Sequence, residues 1–319
     1  MHRIVQAWFY MLNLEVYQSM LNIENFRIDP ELVAPRLQSF IRESVELLQR
    51  NGVALGLSGG IDSTVVAYLA TRALGKDKVL CLIMPEKDTD PQAKEDALLV
   101  ASELGVRVKV IDITKGLDEQ FGIYDKVPVH HLPRTVSQHI FRASYKALKA
   151  LGMDSFPSFT KGSNIEILRR VLAYGKIKHR LRAVTLYYEA ELENLLVAGT
   201  ANKSEWLSGF FVRYGCDHAA DILPLKGLYK TQVRQLAHYL AVPGRIINRV
   251  PSPDVVPGIK DEDILGDYQT LDLILFGLET GIPQPKIAEE LAISKDRVAR
   301  IASLVEISKY LREPPLSPE

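Results

Sequence analysis

Residues 53–64 read Val-Ala-Leu-Gly-Leu-Ser-Gly-Gly-Ile-Asp-Ser-Thr, an apolar run that passes straight into a small glycine-bearing turn and then into the start of a helix. Val53, Leu55 and Leu57 supply the strand. Ser58, Gly59 and Gly60 lack bulk, so backbone N–H groups can approach an anion closely. Asp62, Ser63 and Thr64 open the helix, whose N-terminus adds the positive end of a dipole. The product is a phosphate cradle of a particular kind. It is not a G-x-x-x-x-G-K-[ST] loop, because no lysine follows the glycines, and it is not G-x-G-x-x-G. The bland alternative is an ordinary tight strand-to-helix turn, which the strand–turn–helix context disfavours.

Working outward, the pattern alternates strands and amphipathic helices. Asp29-Pro30 caps a helix that keeps an apolar stripe to about Arg50. The helix after the cradle strand (53–57) runs to Gly75, a C-terminal cap. Lys78–Pro85 is a buried strand, and Thr89-Asp90-Pro91 caps a helix ending at Leu104-Gly105. Arg107–Ile113 is a third strand, Asn194–Thr200 a fourth, and Ile222–Leu225 a short fifth. This order implies an α/β fold with a doubly wound parallel sheet, Rossmann-like, followed by a helical C-terminal region. Ligands then bind at the carboxyl ends of the strands, where the cradle, Met84-Pro85 and Gly199-Thr200 all fall. The division expected is an N-terminal extension (1–28), the α/β domain (29–260) and a helical region of the same domain (261–319). Residues 114–165 break the rhythm and read as a lid over the site or as an inert surface insertion, with a helix over 136–151. The pair His130-His131 within it is adjacent in sequence and does not suggest a metal site.

Composition narrows the class. Lys+Arg and Asp+Glu are equal at 39 each, so bulk charge gives no attraction to nucleic acid. The two cysteines form neither a metal-spaced pair nor a disulfide framework, which fits a reducing cytoplasm. Glu15 interrupts the apolar residues 1–19 and no small-residue cleavage site follows, so neither a signal peptide nor a membrane span is expected; Met20 is an alternative start. Residues 286–305 resemble a helix-turn-helix with its second helix starting at Ser294, which keeps a DNA-binding regulator as the alternative function class.

Further segments carry a more specific resemblance. Ser58-Gly59-Gly60-Ile61-Asp62-Ser63 is similar to the pyrophosphate loop of the N-type ATP pyrophosphatases. Gly199–Glu205, Arg213–Asp221, Leu223–Arg234, Val250-Pro251-Ser252 and the run from Pro257 to Tyr268 follow in the order found in ammonia-dependent NAD+ synthetases. The resemblance covers about residues 22–309. It implies a ligase in which the nicotinate carboxylate of deamido-NAD+ attacks the α-phosphate of ATP, pyrophosphate leaves, and ammonia displaces AMP. It implies an ATP site at Gly56, Leu57, Ser58, Gly59, Gly60, Ile61, Asp62, Ser63, Met84, Thr200, Lys230 and Ser252. It implies Mg2+ ligands Asp62 and Glu205, with Asp62 and Lys230 as the catalytic pair. It further implies deamido-NAD+ contacts from Arg180, Arg213 and Asp221, a homodimer, and free ammonia as nitrogen source, since no glutaminase domain accompanies the chain.

The departures from that pattern cluster on the acceptor side. Lys176 stands where the family has Asn, and His179 where it has Ala. Gly-Asp-Gly-Gly becomes Gly215-Cys216-Asp217-His218 with one extra residue before Asp221, and the C-terminal His-Lys appears as Tyr310-Leu311. Lys178 and Arg182 read equally as a solvated basic face. A relative that adenylates another carboxylate or nucleotide is therefore the second reading.

Overall fold

A computed structural model describes residues 21–24, 26–125, 132, 134–150, 156–251 and 258–317. Residues 1–19, the His130-His131 pair and Ser252 lie outside them. Helix α1 (Pro30–Leu47) starts where expected, its Asp29 cap accepting from Glu31 N–H at 3.0 Å. Strand β1 (Val53–Gly56) leads into α2 (Ile61–Leu74), and β2 (Val79–Ile83) leads into α3 (Pro91–Leu104). Then come β3 (Arg107–Val110) and the helices α4 (Thr114–Phe121), α5 (Arg134–Ala150), α6 (Phe156–Lys161) and α7 (Glu166–Leu192). Strand β4 (Leu196–Val197) closes the sheet, whose order is β3-β2-β1-β4 with every pairing parallel. The chain leaves β1 toward β2 on one side and returns on the other as β4, so the crevice between β1 and β4 is the switch point at which such sheets bind ligands.

Period-two patterning sorts the strands between two cores. Val53, Leu55, Val79, Cys81 and Ile83 pack with Val65, Leu69 and Leu236 on one face. Ala54, Leu80 and Leu82 pack with Leu117 and Leu186 on the other. Burial pushes the Cys81 thiol up to about 12, as expected for an inert core cysteine. The edge strand β3 stays exposed and carries charge, with Arg107 and Lys109 paired to Glu193 and Glu189, which guards an open edge against stray pairing.

Two strand expectations change. The fourth strand is confined to Leu196–Val197, and the proposed fifth contributes a single parallel bridge, Ala198 with Ile222. Pro224 has no N–H to extend that ladder, and beyond Ala198 the chain turns into the site.

The remaining helices are α8 (Lys203–Ser208), α9 (Lys230–Tyr239), α10 (Gly244–Ile247), α11 (Asp261–Leu265), α12 (Tyr268–Glu279), α13 (Gln284–Glu290), α14 (Lys295–Ile307) and α15 (Lys309–Arg312). Helices α12 to α14 build a third core that takes in Leu21, Phe26 and Phe156. Phe26 packs on Tyr229 and Phe276 with ring centroids 4.9 and 5.3 Å away. In the helix-turn-helix-like unit, Ser294 caps α14 as expected, and Ile287, Ala288, Val298, Ile301 and Leu304 are spent on this core. No helix among the described residues is long and apolar enough to cross a membrane.

Candidate active site

A cavity of about 840 Å³ opens at the carboxyl ends of β1, β2 and β4. The cradle turn forms one wall. Gly59 has φ +78°, and a Cβ there would collide with the carbonyl oxygen of Ala93, so the turn and α3 approach as closely as they do because residue 59 is glycine. Ser58 N–H donates to Ser63 Oγ at 3.2 Å, and Gly60 N–H donates to Ser58 Oγ at 3.2 Å, which locks the turn. The cap of α2 is Gly60, which brings no side-chain oxygen to the first-turn N–H groups, so this end suits an anion from outside.

Three helix N-termini deliver the reactive side chains. Asp62 lies in the first turn of α2, Glu205 in that of α8, and Lys230 opens α9. Lys230 Nζ stands 2.5 Å from Asp62 Oδ2 and 3.3 Å from Glu205 Oε1. Glu205 takes part in a capping box, its N–H donating to Asn202 Oδ1 at 3.0 Å, and Asn202 Nδ2 donates to Asp62 Oδ1 at 3.0 Å. The cap therefore fixes both acids at once. Lys230 is only 2% exposed and is positioned through its backbone. Its N–H donates to Ser204 Oγ at 2.8 Å, and Thr231 N–H donates to Asp272 Oδ2 at 2.8 Å. Asp272 from α12 also accepts from Ser204 Oγ at 2.5 Å.

The charges do not balance. Asp62, Glu205 and Asp261 all line the cavity beside Lys230. Burial, with repulsion from Asp62 and Asp261, raises Glu205 to about 8 despite the attraction of Lys230. Burial likewise raises Asp261 to about 6, although Lys230 and the Tyr268 hydroxyl, 2.8 Å from its Oδ2, pull the other way. Its Oδ1 is buried without a hydrogen-bond partner among the described residues. Burial pulls the Lys230 ammonium down, but Asp62, Glu205 and Asp261 outweigh it and hold the ammonium above its usual range. Three hard-oxygen carboxylates around one ammonium, one of them with an orphaned oxygen, fit a divalent cation such as Mg2+.

Of the expected ATP residues, Gly56, Leu57, Ser58, Gly60, Ile61, Asp62, Ser63, Met84, Thr200 and Lys230 line the cavity. Arg180, Arg213 and Asp221 do not. Arg180 Nε donates to the Arg213 carbonyl at 3.4 Å, and Arg213 donates to the Glu313 carbonyl at 2.8 Å while flanking the Tyr214 and Tyr310 rings. Asp221 accepts from Val197 N–H at 2.8 Å and from Tyr187 OH at 3.2 Å.

The solvated-face reading of Lys178 and Arg182 is corrected. Lys178 is fully buried and paired with Glu86 at 3.1 Å and Asp88 at 2.7 Å, and Arg182 donates from Nε to the Met84 carbonyl at 3.2 Å. A buried lysine needs such partners, and they tie α7 to the end of β2. The segment after β3 contributes Gln138 and Phe159 to the cavity wall. Sequence reasoning assigned no role to Asn202 or Asp272. The N-x-x-E spacing at 202–205 is a helix-start signal that could have found the first.

The NAD synthase family model matches residues 33–131 and 153–315. The chain is 40% identical over 296 residues to an NH3-dependent NAD+ synthetase of Coprothermobacter proteolyticus, a match spanning 88% of this chain and 95% of that one. It is 39% identical over 290 residues to the corresponding protein of Methanocaldococcus jannaschii, spanning 91% and 97%. Among solved structures, an NMN synthetase from Francisella tularensis superposes with a TM-score of 0.65 at 29% identity, covering 91% of this chain and 99% of that one. An NH3-dependent NAD synthetase from Campylobacter jejuni does so with a TM-score of 0.65 at 27% identity, covering 92% and 100%. With a parallel sheet, a glycine cradle and an acid–lysine cluster at the switch point, the chain belongs to the NAD synthase family.

Proposed function

We propose that this enzyme amidates the nicotinate carboxylate of deamido-NAD+ with free ammonia, using ATP and yielding NAD+, AMP and pyrophosphate. The observation that carries the reading is the convergence of Asp62, Glu205 and Lys230 on the cradle at the ends of β1 and β4. A carboxylate is a poor acylating group, so it first needs a good leaving group. The first-turn N–H groups of α2 hold the β- and γ-phosphates against the cradle as the carboxylate oxygen forms a bond to the α-phosphorus and pyrophosphate departs. Lys230 offsets the charge that gathers on the departing oxygens, a kind of electrostatic term worth about 3 kcal/mol or more in such sites. Mg2+, held by Asp62 and Glu205, would neutralise phosphate charge. Ammonia then adds to the acyl carbon, the nitrogen gives up a proton to solvent, the bond to the adenylate oxygen breaks, and AMP leaves.

Arg180, Arg213 and Asp221 would hold the dinucleotide outside the ATP cavity. That position suits a site completed by a second copy of the chain, so the enzyme would work as a homodimer. The expected location is the cytoplasm, where ATP and ammonia are at hand. The test is pyrophosphate release in the presence of ATP and Mg2+. It should require an acceptor, with deamido-NAD+ preferred over nicotinate mononucleotide, the comparison suggested by the NMN synthetase neighbour. Equal or better turnover of the mononucleotide would move the enzyme to that substrate. Release with no acceptor present would overturn the adenylation reading.

A further inference from the structure

His179, Cys216 and Asp217 form a compact group on the cavity wall that the adenylation machinery does not use. His179 Nδ1 lies 2.8 Å from Asp217 Oδ2 and 3.6 Å from Cys216 Sγ, and Cys216 Sγ lies 3.6 Å from Asp217 Oδ1. A tetrahedral zinc ion with N and O ligands at about 2.0 Å and S at about 2.3 Å has ligand-to-ligand edges of roughly 3.3–3.5 Å. The two sulfur distances match those edges, and the 2.8 Å imidazole–carboxylate contact would open by about half an ångström to admit the ion.

The backbone is folded to make this arrangement. Consecutive residues usually direct their side chains apart, yet here both Cys216 and Asp217 reach one imidazole. The loop presses on α7 because residue 215 is glycine: a Cβ there would come within 2.8 Å of His179 Cβ. Cys216 N–H donates to the His179 carbonyl at 3.1 Å, and His218 and Ala219 N–H groups both return to the Gly215 carbonyl at 3.0 and 2.7 Å. His179 itself is 8% exposed, and its Nε2 is buried with no hydrogen-bond partner among the described residues. Two of the three residues, His179 and Cys216, are also positions where the sequence departs from the pattern it otherwise follows.

We propose that His179 Nδ1, Cys216 Sγ and the Asp217 carboxylate bind a zinc-type divalent cation, at a site separate from the Asp62–Glu205 pair. The donor set selects the metal: thiolate and imidazole favour zinc, whereas the all-oxygen Asp62–Glu205 pair suits Mg2+. Three protein ligands leave a fourth position for water or for a ligand group in the cavity. Binding would release the thiol proton and the imidazole proton that His179 Nδ1 shares with Asp217, and would pin the 212–219 loop to α7. This inference goes beyond the amidation reaction and does not rest on the identity of its acceptor.

The test uses the full-length protein, purified without a metal-affinity step. Elemental analysis should find about one zinc per chain that survives dialysis. After chelation, Co2+ should restore a near-ultraviolet thiolate-to-cobalt band. Cys216→Ser should abolish that band, and His179→Ala should raise the Co2+ midpoint by about tenfold or more. Glu205→Gln should leave both signals intact. The other thiol, Cys81, is buried in β2 and cannot supply the band. Absence of the thiolate band from the wild-type protein would show a metal-free ion pair and overturn the proposal, whether or not the variants fold. Survival of the band in Cys216→Ser would do the same.

Discussion

The cavity has two differently built walls. Around Asp62, each functional side chain sits in the first turn of a helix, and hydrogen bonds among Asn202, Asp62, Glu205 and Lys230 close into one network. Around His179, the side chains come from the middle of α7 and from the Tyr214–Ala219 loop, and Arg180, Arg213 and Asp221 lie beyond the cavity on backbone carbonyls, rings and N–H groups of their own. Secondary-structure termini fix a site rigidly because backbone geometry sets the side-chain origin. A loop against a helix flank can change its residues without disturbing the sheet. The first wall suits a step shared by every ATP pyrophosphatase, and the second suits a step that differs with the acceptor.

Breaking the first wall should have the largest effect. Lys230→Ala leaves three carboxylates without their ammonium and, on the proposed reading, would remove a donor from the phosphates. It should lower kcat by about 10³-fold; a loss under tenfold in steady-state assays would show that Lys230 serves only structure. Next, Glu205→Gln should raise the Mg2+ concentration for half-maximal activity by more than about tenfold, because the proposed Asp62–Glu205 pair would lose one hard anionic ligand. Circular dichroism should stay near wild type, since glutamine preserves the capping box.

The charged residues beyond the second wall should respond in a different parameter. Arg213→Ala and Asp221→Asn are each expected to raise KM for deamido-NAD+ by about tenfold, as loss of a charged hydrogen bond would, while KM for ATP stays unchanged. A rise in both constants would erase the distinction between the walls.

A stability readout sharpens the support beneath Lys230. Burial raises Asp272 to about 6, although Ser204 and Thr231 donate to it. An unfolded aspartate titrates near 3.9. The native state therefore keeps the proton longer, and wild-type stability falls as pH rises between those two values. Asp272→Asn carries no such proton. Its stability relative to wild type should climb by about 2–3 kcal/mol from pH 4 to pH 6 and then level off, as read from urea unfolding. A pH-independent difference would mean that Asp272 titrates normally.

Legibility followed the same divide. The cradle, the helix limits at Gly75 and Gly105, and the parallel sheet could be read from residues 53–113 because capping, glycine and period-two burial are local signals. Asp62, Glu205 and Lys230 were legible as separate helix-start residues, but their 2.5 and 3.3 Å contacts depend on α9 being propped by Asp272, a partner far along the chain. Lys178 was misread for the same kind of reason: its partners Glu86 and Asp88 come from the other side of the sheet order, and a basic run alone looks solvated. The His179–Cys216–Asp217 group was legible only through the departures at His179 and Cys216. Nothing local announces that a helix flank and a loop meet through Gly215.

Adenylation requires a carboxylate oxygen to become bonded to the α-phosphorus of ATP, and isotope transfer tests this directly. With both nicotinate carboxylate oxygens of deamido-NAD+ labelled with ¹⁸O, mass spectrometry after turnover with ammonia should find one ¹⁸O in AMP and one in the product amide. Unlabelled AMP, or ADP and phosphate in place of AMP and pyrophosphate, would contradict adenylation at this site.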